Sequence, residues 1–472
     1  MSQYEFVCGI ETHVELNTKS KLFCGCENSS QKGNGPNTRC CPVCLGMPGT
    51  LPVLNEKAIE LAIRASLALN CAVNYKCRMA RKNYFYPDLV KGYQISQSRR
   101  PIGGEGLLEL PSGNCVRIKR VHLEEDAGKI SYDSGKMLID YNRSGIPLVE
   151  IVSEPDLVSL DMVREYLETV RLCMIYAGVS LCELQNGQMR FDVNISVRKK
   201  GEKTLGRKVE IKNINSVNFV VLAIQYEFER QSSVLSLGSE ICQETRGFDE
   251  RSGETFLMRK KETESDYRYF ADPDVPTFYI SEDKVEKIEE SLPVMPVRML
   301  KLFVDRFGVD KADAQMLIKH KSFAEFFRAA SQYTKNKKFL AKFILNQIIP
   351  NLKQNSEKDI FDCNLSSDFV GRLSEMLEEN LVATYDAKDI LKNAFEGKVC
   401  DLSSIRKKQV DELKIKENCQ EVITKCPGAV KDFENGKNNA LDYLVGKVLQ
   451  NSDHKINPSI IKQILVKILD LR

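Results

Sequence analysis

Residues 9–16 read GIETHVEL, and the alternation inside them decides how the first part of the chain is read. In a strand, positions i and i+2 share a face, so Glu11, His13 and Glu15 project together while Ile10, Thr12 and Val14 point the other way. The charged face has two readings. It is either a solvated strand surface or a place where Glu11 and His13 jointly hold a cation.

The same alternating, β-branched signal recurs in YEFVCGIETHVEL (4–16), VRIKRVHLEE (116–125), MLIDYN (137–142), MRFDVNISVR (189–198) and RKVEIKNI (207–214). Two helical stretches interrupt it, 56–70 behind Asn55 as N-cap and about 160–177. The combination predicts an α+β body built on an antiparallel sheet. After LPVMP (292–296) the strand signal ends and helical periodicity takes over. The last stretch begins Asn457-Pro458 and carries apolar residues at 460, 461, 464, 465, 468 and 469, one face of a helix. No internal repeat or low-complexity tract interrupts the chain.

Bulk properties narrow the function classes. A chain of 472 residues is long enough for two or three domains. With 42% hydrophobic and 28% charged residues and a formal charge of +3, it has globular composition and no bulk attraction for nucleic acid, so any such binding needs local patches. No basic leader precedes an apolar run and no window reaches a membrane-spanning length, which predicts a cytoplasmic protein whose cysteines are mostly buried thiols.

A second acidic group strengthens the cation reading. HLEEDAGK (122–129) carries Glu124, Glu125 and Asp126 in succession, and PLVEIV (147–152) places Glu150 inside an apolar strand. Burying such a carboxylate is costly unless a metal or a cationic side chain neutralises it. Salt bridges would serve, and so would a carboxylate cage for Mg²⁺ bridging nucleotide phosphates. RKNYFYPD (81–88) mixes two cations, Arg81 and Lys82, with three aromatics, compatible with nucleotide or RNA binding or with packing. No P-loop, dinucleotide-binding glycine motif or nucleophile elbow is present, so any ATP site must be of another kind.

One cysteine group has ligand spacing. Cys24-x-Cys26 and Cys41-Pro-Val-Cys44 form two short pairs, the donor set of a structural Zn²⁺ site. Cys40 rivals Cys41, and the two-residue gap to Cys44 favours Cys41.

At this point the residues carry a family resemblance. GIETHVELNTKSKLFC, CPVCLGMPGTLPVLN, RKNYFYPDLVKGYQISQ, HLEEDAGK, DYNRSGIPLVEIVSEPD, KVEIKNINS, QETRGFDE and DYRYF with PDVP follow in order through about residue 280 and resemble the B subunit of the tRNA-dependent aspartyl/glutamyl amidotransferase, the GatB family. NGKNNALDYLVGKVL and NPSIIKQIL resemble that family's YqeY-like tail, so the likeness spans essentially the whole chain.

The resemblance implies a cradle-shaped catalytic domain related to the glutamine synthetase-like kinase fold over 1–290, a helical domain over 291–400 and a tRNA-binding helical tail over 401–472. It implies ATP-dependent phosphorylation of the side-chain carboxylate of Glu or Asp mischarged on tRNA, followed by amidation with ammonia. Glu11, His13, Glu125 and Glu150 would carry a Mg²⁺-centred site, with Arg81, Lys82, Arg190 and Asp192 at the nucleotide. In the tail, Lys437 and Lys447 are the expected tRNA contacts. The chain has no glutaminase signature of its own, and the resemblance implies two partners in a heterotrimer, the amidase or A subunit, which supplies ammonia, and the small C subunit.

Departures from the pattern are local. Gln185 and Asn186 stand where the family has an acidic pair, and Ala271-Asp272 replaces the usual form of the PDVP loop. Many relatives lack the four cysteines, so zinc rests on this chain's own spacing. The contrasting expectation is a non-catalytic, zinc-stabilised RNA-binding scaffold of the same fold.

Overall fold

The structure is a computed structural model and describes residues 3–28, 35–260, 267–354, 359–398, 402, 412–434, 438–451 and 458–469. Lys437 and Asn457 lie outside these residues. The chain divides into two compact units, residues 1–298 and 299–472.

The first unit is organised by a nine-stranded sheet. Its strands are β1 (Tyr4–Glu15), β2 (Cys71–Val73), β3 (Gly103–Glu109), β4 (Cys115–Glu125), β5 (Pro147–Ser153), β6 (Met189–Lys199), β7 (Val209–Ile214), β8 (Glu244–Asp249) and β9 (Glu254–Lys260). Across the sheet they run β9-β8-β7-β6-β1-β5-β4-β3-β2. The opening stretch is therefore the central strand: Thr12 lies opposite Ile151 on β5 and Phe191 on β6. The sheet is antiparallel except where β8 pairs parallel to β7. That departure from the expected all-antiparallel sheet follows from the long helix α3 (Val217–Ser236) between them, which returns the chain to the starting edge.

One face of β1 is closed off by helices. Cys8, Ile10 and Val14 belong to a single core with residues of α1 (Glu56–Ala68), α2 (Leu160–Tyr176) and α3. Both predicted helices start at the predicted place or close to it, and the Asn55 side chain accepts from the Lys57 amide as an N-cap. The segment GGEGLLE (103–109) carries no strand signal, yet it is β3. A Cβ on Gly106 would sit 2.4 Å from Cys71 Sγ, and one on Gly103 would sit 2.5 Å from Ser66 Oγ. Glycine is present because neighbouring chain and helix approach too closely for a side chain.

A smaller sheet, Phe270–Ala271, Ala80–Asn83 and Tyr93–Ser96, packs beside β4 and brings two stretches of sequence far apart in the chain into register, Phe270 opposite Arg81. In the second unit the described residues form helices and no strand. At its end, Glu412–Lys425, Pro427–Glu434, Asn438–Asn451 and Pro458–Leu469 share one apolar core that includes Leu444, Val448, Ile461 and Leu465.

Candidate active site and metal centre

The face of the sheet away from the helices carries a row of ionisable side chains, and strand register builds it. Arg190 on β6, His13 on β1, Glu150 on β5 and His122 on β4 are successive cross-strand partners. Glu124 joins from the next same-face position on β4. His13 Nε2 lies 3.3 Å from Glu124 Oε1 and 3.7 Å from Glu150 Oε2. His122 Nε2 is 2.9 Å from Glu150 Oε2.

These carboxylates are buried, with Glu124 3% and Glu150 8% exposed, so their charge must be compensated locally. Burial first, and then the neighbouring Glu150 charge, push the Glu124 carboxyl well above the usual range. Burial opposes ionisation of Glu150 too, but His122 and His13 outweigh it and hold that carboxyl well below the usual range. The His13 imidazole is shifted down, chiefly by burial. Burial and the local charges thus drive the two carboxyls apart, Glu124 upward and Glu150 downward.

Next to this group stands a second one, Glu11, Asp192 and Glu210, whose carboxylate oxygens lie within 4.8 Å of one another. Lys212 Nζ bridges Asp192 at 3.1 Å and Glu210 at 3.4 Å. Asn194 donates to Glu11 Oε1 at 2.9 Å. Burial, then Glu150 and Asp192, lift the Glu11 carboxyl to about 7.

The four residues expected to form one cage are therefore divided. His13 and Glu150 meet, with Glu124 as the third donor, and Glu11 belongs to the adjoining group. Glu125 is not with them. Its Oε1 accepts from Lys91 Nζ at 2.5 Å and from the Ile95 amide at 2.8 Å. The reason is the pleat: successive residues on β4 face opposite sides, so Glu124 reaches His13 and Glu125 cannot. His122 carries no site signal in the sequence, although its register opposite Glu150 follows once β4 and β5 are paired.

Of the residues expected at a nucleotide, Arg190 lies 3.0 Å from Asp126 Oδ1 and lines a cavity of about 410 Å³ together with Arg143, Lys129, Asn213 and Asn215. Lys82 points between the rings of Tyr84 and Tyr267, 5.7 and 5.0 Å from their centroids. Burial works against its charge, but Tyr269, Glu124 and Glu150 prevail and raise its pKa. Arg81 is engaged elsewhere, with Nε 2.7 Å from Asp272 and Nη2 2.7 Å from Asp274. Asp272, one of the two departures at the PDVP loop, is the buried anchor of that pair. Gln185 and Asn186 sit exposed on a turn ahead of β6. In the tail, Lys447 Nζ bonds Gln450 Oε1 at 3.2 Å on the solvent side of its helix.

The cysteines converge. The Sγ atoms of Cys24, Cys26, Cys41 and Cys44 lie within 4.8 Å of one another, and those of Cys26 and Cys44 are 4.0 Å apart. Tetrahedral zinc with Zn–S near 2.3 Å requires sulfur separations of about 3.8 Å, so the donor set fits. Cys40 is not one of the four converging thiols and donates to Asn142 Oδ1 at 3.9 Å. Lys21, wholly buried, places Nζ 3.6 Å from Cys44 Sγ. The hydrogen bond from Cys24, with help from Lys21, pulls the Cys44 thiol down to about 4. Among the described residues no helix is long and apolar enough to cross a membrane.

The profile of the GatB/GatE catalytic domain matches residues 6–286, and that of a second GatB domain matches residues 325–469. The chain is 42% identical over 475 residues to the B subunit of the aspartyl/glutamyl-tRNA(Asn/Gln) amidotransferase of Persephonella marina, covering 99% of this chain and 100% of that one. It is 41% identical over 476 residues to the protein of the same name from Thermodesulfovibrio yellowstonii, covering 99% of each. To that of Ruminiclostridium cellulolyticum it is 43% identical over 470 residues, covering 97% of this chain and 96% of the other.

Proposed function

The chain belongs to the GatB family of amidotransferase subunits, and from that premise we propose that it is the B subunit of an aspartyl/glutamyl-tRNA(Asn/Gln) amidotransferase. ATP would phosphorylate the side-chain carboxylate of Glu or Asp esterified to a mischarged tRNA, releasing ADP. Ammonia would then attack the acyl carbon and expel phosphate, leaving the amide. A carboxylate needs this activation because its own leaving group would be oxide.

The observation that carries the reading is the His13, Glu124 and Glu150 group, whose ligand atoms converge on the face of the sheet away from the helices. These three would hold Mg²⁺, with Glu11 alongside, and the ion would screen the phosphates from an anionic substrate. His122 fixes Glu150, and Arg190 with Arg143 and Lys129 offers a cationic cavity for phosphate oxygens. Arg81 and Asp192 act one layer back: Arg81 ties down the loop at Asp272, and Asp192 holds Lys212. The four thiolates would take a structural Zn²⁺, with Lys21 offsetting part of their charge.

On this reading residues 1–290 would be a cradle of the glutamine synthetase-like kinase type, followed by a helical domain over 291–400 and a YqeY-like, tRNA-binding tail over 401–472 that carries Lys437 and Lys447. Ammonia would come from a partner amidase, the A subunit, in a heterotrimer completed by the small C subunit. A reaction that consumes mischarged tRNA and ATP belongs in the cytoplasm. The test is ATP hydrolysis and amide formation by the purified complex, with and without Glu-tRNA(Gln) or Asp-tRNA(Asn). Turnover of ATP coupled to one of the two charged tRNAs is expected. Binding of tRNA with no ATP turnover would instead leave a scaffold.

A further inference from the structure

Two aromatic stretches separated by some 180 residues, RKNYFYPD (81–88) and YRYF (267–270), meet beside the carboxylate group. The Tyr84 and Tyr267 rings are edge-to-face at 6.2 Å, and Tyr267 and Tyr269 are edge-to-face at 6.2 Å. Tyr269 is 40% exposed, so this is an open surface and not a core contact. Between Tyr267 and Tyr269, Arg268 takes φ of +44°, a left-handed conformation that a side chain disfavours. Asn83 holds it there, donating from Nδ2 to the Arg268 carbonyl at 2.9 Å and to the Tyr267 carbonyl at 3.4 Å. The kink presents neighbouring rings as a fixed collar. Lys82 stands inside it, its ammonium close enough to Glu124 and Glu150 to feel both charges. Arg259 Nη2 reaches the Tyr267 hydroxyl at 3.2 Å.

A rigid, half-exposed ring cluster threaded by cations suits flat, apolar bases strung on phosphates. We propose that Tyr84, Tyr267 and Tyr269 form the stacking platform for the single-stranded 3′ end of the aminoacyl-RNA acceptor, leading the esterified side chain past Lys82 to Glu124 and Glu150. The proposal rests on the amidotransferase reading above. The same rings could receive the adenine of ATP, but the Arg143 and Arg190 cavity that suits its phosphates shares no residue with the collar. The acceptor end is therefore the occupant.

The experiment uses the assembled heterotrimer and charged tRNA whose terminal base is replaced by 2-aminopurine, a fluorophore quenched on stacking. Wild type should quench it. Tyr267→Leu and Tyr269→Leu should lose the quench and raise KM for charged tRNA about tenfold with kcat within a few fold, as expected for one lost base stack. Tyr267→Phe, which keeps the ring, should retain both. Quenching unchanged in both leucine variants overturns the platform while wild-type amidation upholds the reading beneath it. A raised KM for ATP with unchanged quenching assigns the collar to the nucleotide and overturns it. Weakened assembly of the variant heterotrimer with intact quenching makes it an interface within the complex and overturns it as well. A wild-type complex that neither amidates nor quenches overturns the reading and the platform together.

Discussion

Glu124 and Glu125 are adjacent in sequence and serve different partners, one facing His13 and the other held by Lys91. Glu124→Gln should weaken Mn²⁺ binding by calorimetry and lower ATP-dependent amidation by about a hundredfold or more, whereas Glu125→Gln should leave Mn²⁺ affinity within a few fold. Equal loss of Mn²⁺ binding in the two would refute the division. His122 is a quieter participant: its Nδ1 finds no hydrogen-bond partner among the described residues, so its one polar contact is spent on the carboxylates. His122→Leu should cost roughly tenfold to a hundredfold in metal affinity, the usual effect of removing the group that orients a ligand, and His122→Asn should recover part of it. Glu15 sits two places beyond His13, buried, with burial raising its carboxyl to about 7 and Arg143 only partly offsetting this. A raised carboxyl binds more protons folded than unfolded, so its contribution is present at low pH and is lost as pH rises from about 4.5 through 7. Glu15→Gln should match wild type near pH 5 and exceed it by up to about 3 kcal/mol near pH 8 in urea unfolding of the first unit. A parallel pH dependence in both proteins would count against it. Strand alternation put Glu11 and His13 on one face, and the apolar run around Glu150 marked that carboxylate, whereas His122 carried no signal of its own. The choice of Glu124 over Glu125 was not legible, because it needs the register of β4 against β5 and β1.

Among the elements, the cysteine knuckle and β3 make contrasting cases. Spacing alone named Cys24, Cys26, Cys41 and Cys44, since chelation by short loops is a local property of sequence. Cys41→Ser should remove about one Zn²⁺ per chain and lower the melting temperature of the first unit, while Cys40→Ser should keep the metal. Zinc lost from the Cys40 variant alone would exchange the two roles. Lys21 escaped notice in the sequence because its function depends on the fold burying it against Cys44. Strand β3 escaped for a related reason, its glycines being dictated by Ser66 and Cys71 and not by any preference for extended chain. Gly106→Ala should therefore destabilise by about 1–3 kcal/mol, although alanine favours neither strand nor turn here. Thermal unfolding unchanged in that variant would show that β2 can move aside. The parallel step from β7 to β8 was equally hidden, for a crossover is a property of where α3 docks.

At the scale of the whole molecule, formal charge is only +3, and residues 401–472 hold 13 Lys and Arg against 10 Asp and Glu. Affinity for tRNA must come from placed patches and shape. Removing residues 401–472 should raise KM for charged tRNA severalfold or more and leave tRNA-independent glutaminase in the complex largely intact. Full-length affinity across a salt titration would deny the tail a part in recognition. The central strand has one further consequence, which concerns time. Tyr4–Glu15 is made before either of its neighbours in the sheet, Pro147–Ser153 and Met189–Lys199. That strand must wait for almost two hundred further residues with both edges open and one side apolar. Nascent chains of this protein should be clients of ribosome-associated chaperones until about residue 200 has emerged, and deletions within Tyr4–Glu15 should leave a seam down the middle of the sheet.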